Sequence, residues 1–183
     1  GWIADNILGY QKAVLIGALV ITLGHFTLAI PLEQTFILGL VFVALGTGLL
    51  KPNISSIVGQ LYSQSDQRRD SGFTIFYMSI NIGSMLGFAV CGWLGEKVGW
   101  HIGFGAAGVG MLFGVTQFIL FKHQLGIAGK YPNKISEETR KNYVRGLALV
   151  IFLVASVVIT GITGLWSIDP VYFAERFRDF LVL

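Results

Sequence analysis

The chain has 183 residues, 54% of them hydrophobic and only 13% charged, with 24 glycines and a formal net charge of +3; its mean hydropathy is +0.69. A water-soluble globule of this size rarely carries that balance, so the composition places the chain in a bilayer. The small, scattered positive charge gives no argument for a nucleic-acid partner, and the single cysteine, Cys91, excludes an intramolecular disulfide and leaves no metal signature.

Taken in order, the chain opens on Gly1-Trp2-Ile3-Ala4, which reads as the tail of an apolar segment that starts upstream. At the other end Phe177-Arg178-Asp179-Phe180-Leu181-Val182-Leu183 enters a new apolar run, so the whole reads as an internal fragment of a larger polytopic protein. Crossing about 30 Å of hydrocarbon takes roughly 20 helical residues, and several runs reach that length. The first complete span is about Ala13 to Ile30, closed by Pro31. The second, about Thr35 to Tyr62, carries Lys51 and then Pro52, whose missing N–H frees the carbonyl of Gly48 and permits a bend. A charged loop, Ser63 to Gly72, leads to a third span from about Phe73 to Leu94, and a turn through Gly95 to His101 leads to a fourth, about Ile102 to Phe121. Polar residues follow from Lys122 to Lys141, with Ser136 and two early glutamates offering a helix start. A fifth apolar helix runs from about Asn142 to Trp166, and Asp169-Pro170 begins a sixth.

Lys and Arg near the span ends set the orientation. With the first loop inside, Lys12, Arg68, Arg69, Lys122, Lys130, Lys134, Arg140, Lys141 and Arg145 are cytoplasmic, against Lys97 in the complete outer loops. Arg176 and Arg178 would start near the outer face and weaken the pattern there. Trp2, Trp93, Trp100 and Trp166 fall near span ends, as an aromatic belt would. His25, alone within the first span, reads as bonded to a neighbouring helix, while His101 and His123 read as interfacial.

Three segments carry chemistry. Lys51 is an ionisable group at membrane depth, which costs roughly 2.5–3.5 kcal/mol and so normally pairs, faces water or does chemistry. In Phe73-Thr-Ile-Phe-Tyr77-Met-Ser-Ile-Asn81-Ile-Gly83-Ser84, the residues Tyr77, Asn81 and Ser84 share one helical face at i, i+4 and i+7. That stripe serves equally as interhelical glue beside Gly83 and Gly87 or as a binding surface. In Gly1-Trp-Ile-Ala-Asp5-Asn-Ile-Leu-Gly9-Tyr-Gln-Lys12 the glycines allow a tight turn, Asp5 can accept from N–H groups at a helix start, and Lys12 can meet lipid phosphate. No nucleophile and base occur together, so the chain does not read as an enzyme, and no cofactor is expected.

The Gly1 to Lys12 segment resembles the loop between the second and third helices of major facilitator transporters, with Asn6 where many members have Arg. Gly48-Leu-Leu-Lys51-Pro-Asn53, then Phe73 to Ser84, then Gly92-Trp-Leu-Gly-Glu-Lys-Val-Gly-Trp-His-Ile-Gly-Phe104 closely resemble the proton-dependent oligopeptide transporter family of that superfamily, over the stretch from Gly1 to about Phe121. The resemblance implies an all-α integral membrane protein, part of a 12-helix major facilitator fold. It would comprise the end of helix 2, helices 3 to 6, and part of an inserted helical hairpin. Residues 1–121 would belong to the N-terminal six-helix bundle, 122–141 to a cytoplasmic loop and 142–183 to the hairpin. It further implies symport of di- and tripeptides with protons across the plasma (inner) membrane. Lys51 would serve in proton coupling and in holding the peptide carboxylate, Tyr77 and Asn81 would contact the peptide backbone, and Gly1, Asp5 and Gly9 would form the gating loop. The family's Glu-x-x-Glu-Arg motif and second bundle are not in this sequence. Nitrate or another small solute on the same fold, and a membrane receptor or scaffold in which Lys51 is only structurally paired, are the rival readings.

Overall fold

The computed structural model describes residues 1–130 and 136–162. Among them the secondary structure is helical, and five helices are long and apolar enough to cross a membrane. They are α1 (Tyr10–Leu28), α2 (Glu33–Leu61), a composite of α3 (Arg69–Gly87), a π-helical turn at Phe88–Gly92 and α4 (Trp93–Lys97), then α5 (Trp100–Phe121) and α6 (Glu137–Ile162). These match the five spans of the sequence to within a few residues at most ends. The third is interrupted by the π turn, and α3 begins four residues before Phe73, at Arg69. The second hairpin helix, with Asp169, Arg176 and Arg178, lies outside the described residues, as do Lys134 and Trp166. The chain forms two compact units, Gly1–Arg140 and Lys141–Leu183. The α6 helix begins at Glu137, where Ser136 and the glutamates anticipate a start, with the Ser136 hydroxyl accepting the Thr139 N–H at 3.2 Å.

In the first unit α1 is the central element, packed against α2 on one side and α5 on another. Its sequence explains why. Gly17 and Gly24 recur at a spacing of seven on one face, and Gly39 and Gly46 do the same on α2. The antiparallel helices bring Gly17 against Gly46 and Gly24 against Gly39, so close that a Cβ built on Gly24 would lie 2.9 Å from the Gly39 carbonyl oxygen. In an apolar medium helices associate by such close packing, since lipid tails are as apolar as leucine. On the other side Phe26 fills the space above Gly108 of α5, and the His101 Nδ1 lies 3.0 Å from the Leu28 carbonyl oxygen. His101 thus binds α5 to the end of α1 as well as lying at a span end. The α3 helix has no buried residue. Gly83 and Gly87 face open space, so the glue reading of the Asn81 and Ser84 stripe is not realised among the described residues.

One minor reading is corrected. His25 does not tie α1 to a neighbour through Nδ1, which is buried without a partner among the described residues.

Candidate functional site

The α2 helix runs unbroken through Pro52. Side chains add hydrogen bonds to the main chain on either side of the proline: Asn53 Nδ2 donates to the Leu49 carbonyl, and the Ser55 and Ser56 hydroxyls donate to the Pro52 carbonyl at 2.9 and 3.0 Å. Burial divides the helix lengthwise. Gly39, Gly46, Asn53 and Ile57 are buried, whereas Gly48, Lys51 and Ser55 lie on the opposite side, at i, i+3 and i+7. Lys51 is exposed and has neither hydrogen bond nor ion pair among the described residues.

Asn53 is the one feature here that the sequence did not single out. Its side chain is fully buried, and its Oδ1 has no partner among the described residues. A buried acceptor left unmade costs about 1–3 kcal/mol. A polar residue just after a proline in an apolar run was the available signal.

The loop from Tyr62 to Arg68 returns the chain as α3. There the Asp66 carboxylate accepts the Arg68 backbone N–H at 2.9 Å and pairs with its guanidinium at 3.0 Å. The Arg68 hydrogen bonds hold the Asp66 carboxyl below the usual carboxylate range, and Asp66 in turn raises the Arg68 pKa. Next, α3 packs beside α2 near the hairpin, with Phe73 against Gly59 and Tyr62 against Gly72. The Arg69 guanidinium lies 5.9 Å from the Phe73 ring centre, and the Tyr77 ring stacks on Phe73 at 6.3 Å and tilts against Phe76 at 5.4 Å. These neighbours orient Tyr77, whose residue is 54% exposed.

Both helices rise about 1.5 Å per residue. The Phe73 ring reaches Gly59 at the hairpin end, and Lys51 lies eight residues back along α2 as Asn81 lies eight residues on along α3. An ammonium on one helix, with an amide and a phenol on the next, has the chemistry to hold a carboxylate and hydrogen-bond to an amide backbone.

The remaining expected residues precede α1. Ala4–Leu8 forms a π-helical turn closed by Gly9, whose φ of 79° is a conformation that favours glycine. Asp5 does not cap α1: the N-cap position is Gly9 and no side chain caps it. The turn carries the Asp5 carboxylate toward the Tyr10 hydroxyl instead. Asn6 Nδ2 donates to the Trp2 carbonyl at 2.9 Å, and Gly1 lies close to the Asp5 carboxylate. Among the described residues no cluster of His, Cys, Asp or Glu could hold a metal.

Comparison with known proteins gives this arrangement a family. Residues 11–127, more than half of the chain, match the POT family. An uncharacterized transporter of Bacillus subtilis (strain 168), YclF, is 46% identical over 182 residues, covering 98% of this chain and 35% of that protein. A di-/tripeptide transporter of Lactococcus lactis subsp. lactis (strain IL1403) is 38% identical over 185 residues, 99% of this chain and 36% of that protein. The crystal structure of a peptide transporter POT in complex with sulfate superposes with a TM-score of 0.82 at 40% identity, over 96% of this chain and 36% of that one. A POT family transporter in complex with a thioalcohol-conjugated peptide gives 0.80 at 36%, over 92% and 35%. The chain spans about a third of the length of these relatives. On the match of its sequence and of its helices, this chain is an all-helical, multi-pass membrane chain that belongs to the POT family of transporters.

Proposed function

We propose that the protein containing this chain moves di- and tripeptides across the plasma (inner) membrane together with protons. The observation that carries the reading is Lys51: an exposed ammonium within a 29-residue apolar helix, with no ion pair among the described residues. Such a charge is retained at membrane depth where it serves a pathway or a ligand. Relatives named for di- and tripeptide transport support the choice of cargo.

In this reading residues 1–121 belong to one helical bundle, residues 122–141 to a cytoplasmic connection and residues 142–183 to an inserted hairpin. Alternating access rocks two bundles about a midplane site, so transport belongs to the whole protein. A proton bound to a carboxylate elsewhere in the protein releases Lys51 from an ion pair, and Lys51 then takes the peptide carboxylate. Tyr77 and Asn81 hydrogen-bond to the peptide backbone. Binding energy that differs between the two states shifts the population from one to the other. Gly1, Asp5 and Gly9 shape the loop at the cytoplasmic mouth, where Gly9 supplies the tight backbone.

The test is uptake of labelled dialanine by the full-length protein in proteoliposomes under an inward proton gradient. Uptake in the parent protein, reduced to background by Lys51→Ala, is the expected result. Undiminished gradient-driven uptake by the variant would remove Lys51 from the mechanism. Competition by nitrate and not by dipeptides would replace the cargo.

A further inference from the structure

The residues after α5, Gly126 to Lys130, lie across the ends of both α1 and α2, more than sixty residues away along the chain. Gly129 donates its N–H to Gln60 Oε1 at 2.6 Å, and its carbonyl accepts the Gln11 backbone N–H at 2.9 Å. Gln11 Nε2 donates to the Ala128 carbonyl at 2.7 Å and more distantly, at 3.5 Å, to that of Gly126. The approach is close on both sides: a methyl on Gly9 would lie 2.7 Å from the Lys130 carbonyl oxygen, and one on Gly129 would lie 2.9 Å from Ile57.

Two glutamines thus read one strand of main chain, one from each helix. The part of α2 that is fastened, Ile57 to Gln60, lies beyond Pro52, whereas Gly39 and Gly46 lock the part before the proline directly onto α1. The fastening is largely polar: Ile127 is 83% exposed, the small Ala128 is the buried apolar side chain of the segment, Ile57 of α2 rests against Gly129, and Gly126 and Gly129, with φ of 58° and 68°, hold turns that favour glycine. Segments held by few hydrogen bonds and little apolar burial open at the low end of local stability.

We propose that Gln11 and Gln60 form a releasable clasp on the main chain of residues 126–130. It is closed in the conformation described here, tying the end of α2 to the loop that begins at Gly1, and it opens in the other state of the transport cycle. The proposal rests on the transport reading. Its function is conformational: it sets how readily the end of α2 beyond Pro52 leaves α1.

The experiment is hydrogen exchange, read by mass spectrometry, on the full-length protein in lipid nanodiscs with and without saturating dialanine, alongside dialanine uptake. Exchange of the 126–130 segment is expected to differ about fivefold or more between the two conditions, the factor for one neutral hydrogen bond. Gln60→Ala is expected to bring both conditions to the faster rate, and Gln60→Glu, which keeps an acceptor for the Gly129 N–H, to restore the difference. Gln11→Ala tests the second half of the clasp if Gln60→Ala does not fold. Dialanine uptake with exchange equal in both conditions overturns the clasp alone. No dialanine uptake by the parent protein overturns the transport reading and the clasp with it.

Discussion

Gly17 and Gly46 meet backbone to backbone: a methyl on Gly17 would lie 2.7 Å from the Gly46 carbonyl oxygen, and a methyl on Gly46 would lie 2.6 Å from that of Gly17. Overpacking of this kind costs about 1–3 kcal/mol. Against it stands the gain in helix propensity on replacing glycine with alanine, about 1 kcal/mol. The close contact is backbone on both sides and cannot rotate away, so the cost prevails. Gly17→Ala is expected to lower the thermal midpoint of the full-length protein, whereas Gly48→Ala, whose methyl meets open space, is expected to leave it unchanged or raise it slightly. Equal midpoints for the two variants would refute the packing account of the α1 and α2 pair.

Tyr77 and Asn81 are exposed, and the Tyr77 ring rests on Phe73 and Phe76 of its own helix, contacts that Tyr77→Phe keeps, so their substitution is expected to spare the fold and affect the ligand. Loss of one hydrogen bond to a bound peptide costs about 0.5–1.5 kcal/mol, a factor of roughly two to ten in affinity. Tyr77→Phe and Asn81→Ala should each raise the dialanine concentration for half-maximal uptake within that range, with unchanged thermal midpoints. Unchanged uptake curves for both would take these residues out of the binding site.

Gly103 faces the π turn. A methyl there would lie 2.6 Å from the Cys91 carbonyl oxygen and 3.2 Å from the Gly95 amide nitrogen. Both are backbone atoms, so Gly103→Ala must push α5 away from the Phe88–Gly92 turn, at a cost of about 1–3 kcal/mol. Chemical labelling of Cys91, now half-buried, should become faster in the variant. A labelling rate equal to the parent's would show that the turn does not depend on this contact.

Asp66 is held below the ordinary carboxylate range by Arg68. A group whose pKa is depressed by folding contributes stability above its unfolded value, about 3.9, and loses it as pH falls through the folded value. The hairpin between α2 and α3 should therefore loosen only below about pH 4. Arg68→Gln should move the Asp66 titration, followed by carbon NMR of labelled aspartate, upward toward the ordinary value. A titration unmoved by the substitution would show that the Arg68 pair is not the cause.

Much of this was legible in the sequence because hydropathy and glycine content alone impose a helical solution: in hydrocarbon each backbone polar group must be satisfied within its own segment. The spans ended where Pro31, the charged loop after Tyr62 and the polar stretch after Phe121 stopped the apolar runs. Lys51 was legible as an anomaly of charge, and Tyr77 and Asn81 as a polar face at helical spacing. Asp5 was misread as a cap because its spacing from α1 depends on the π turn of Ala4–Leu8, which inserts an irregular backbone between them.

The sequence by itself determined the class of structure, the helices and the residues whose polarity has no place in lipid, since these follow from local periodicity and from the cost of an unsatisfied group in hydrocarbon. The tertiary structure alone decided which glycines meet, that Asn53 is buried, and that Gln11 and Gln60 hold the segment after α5. Each of these depends on helix register and on contacts between residues far apart in the chain, and no local pattern encodes the distance between two helices.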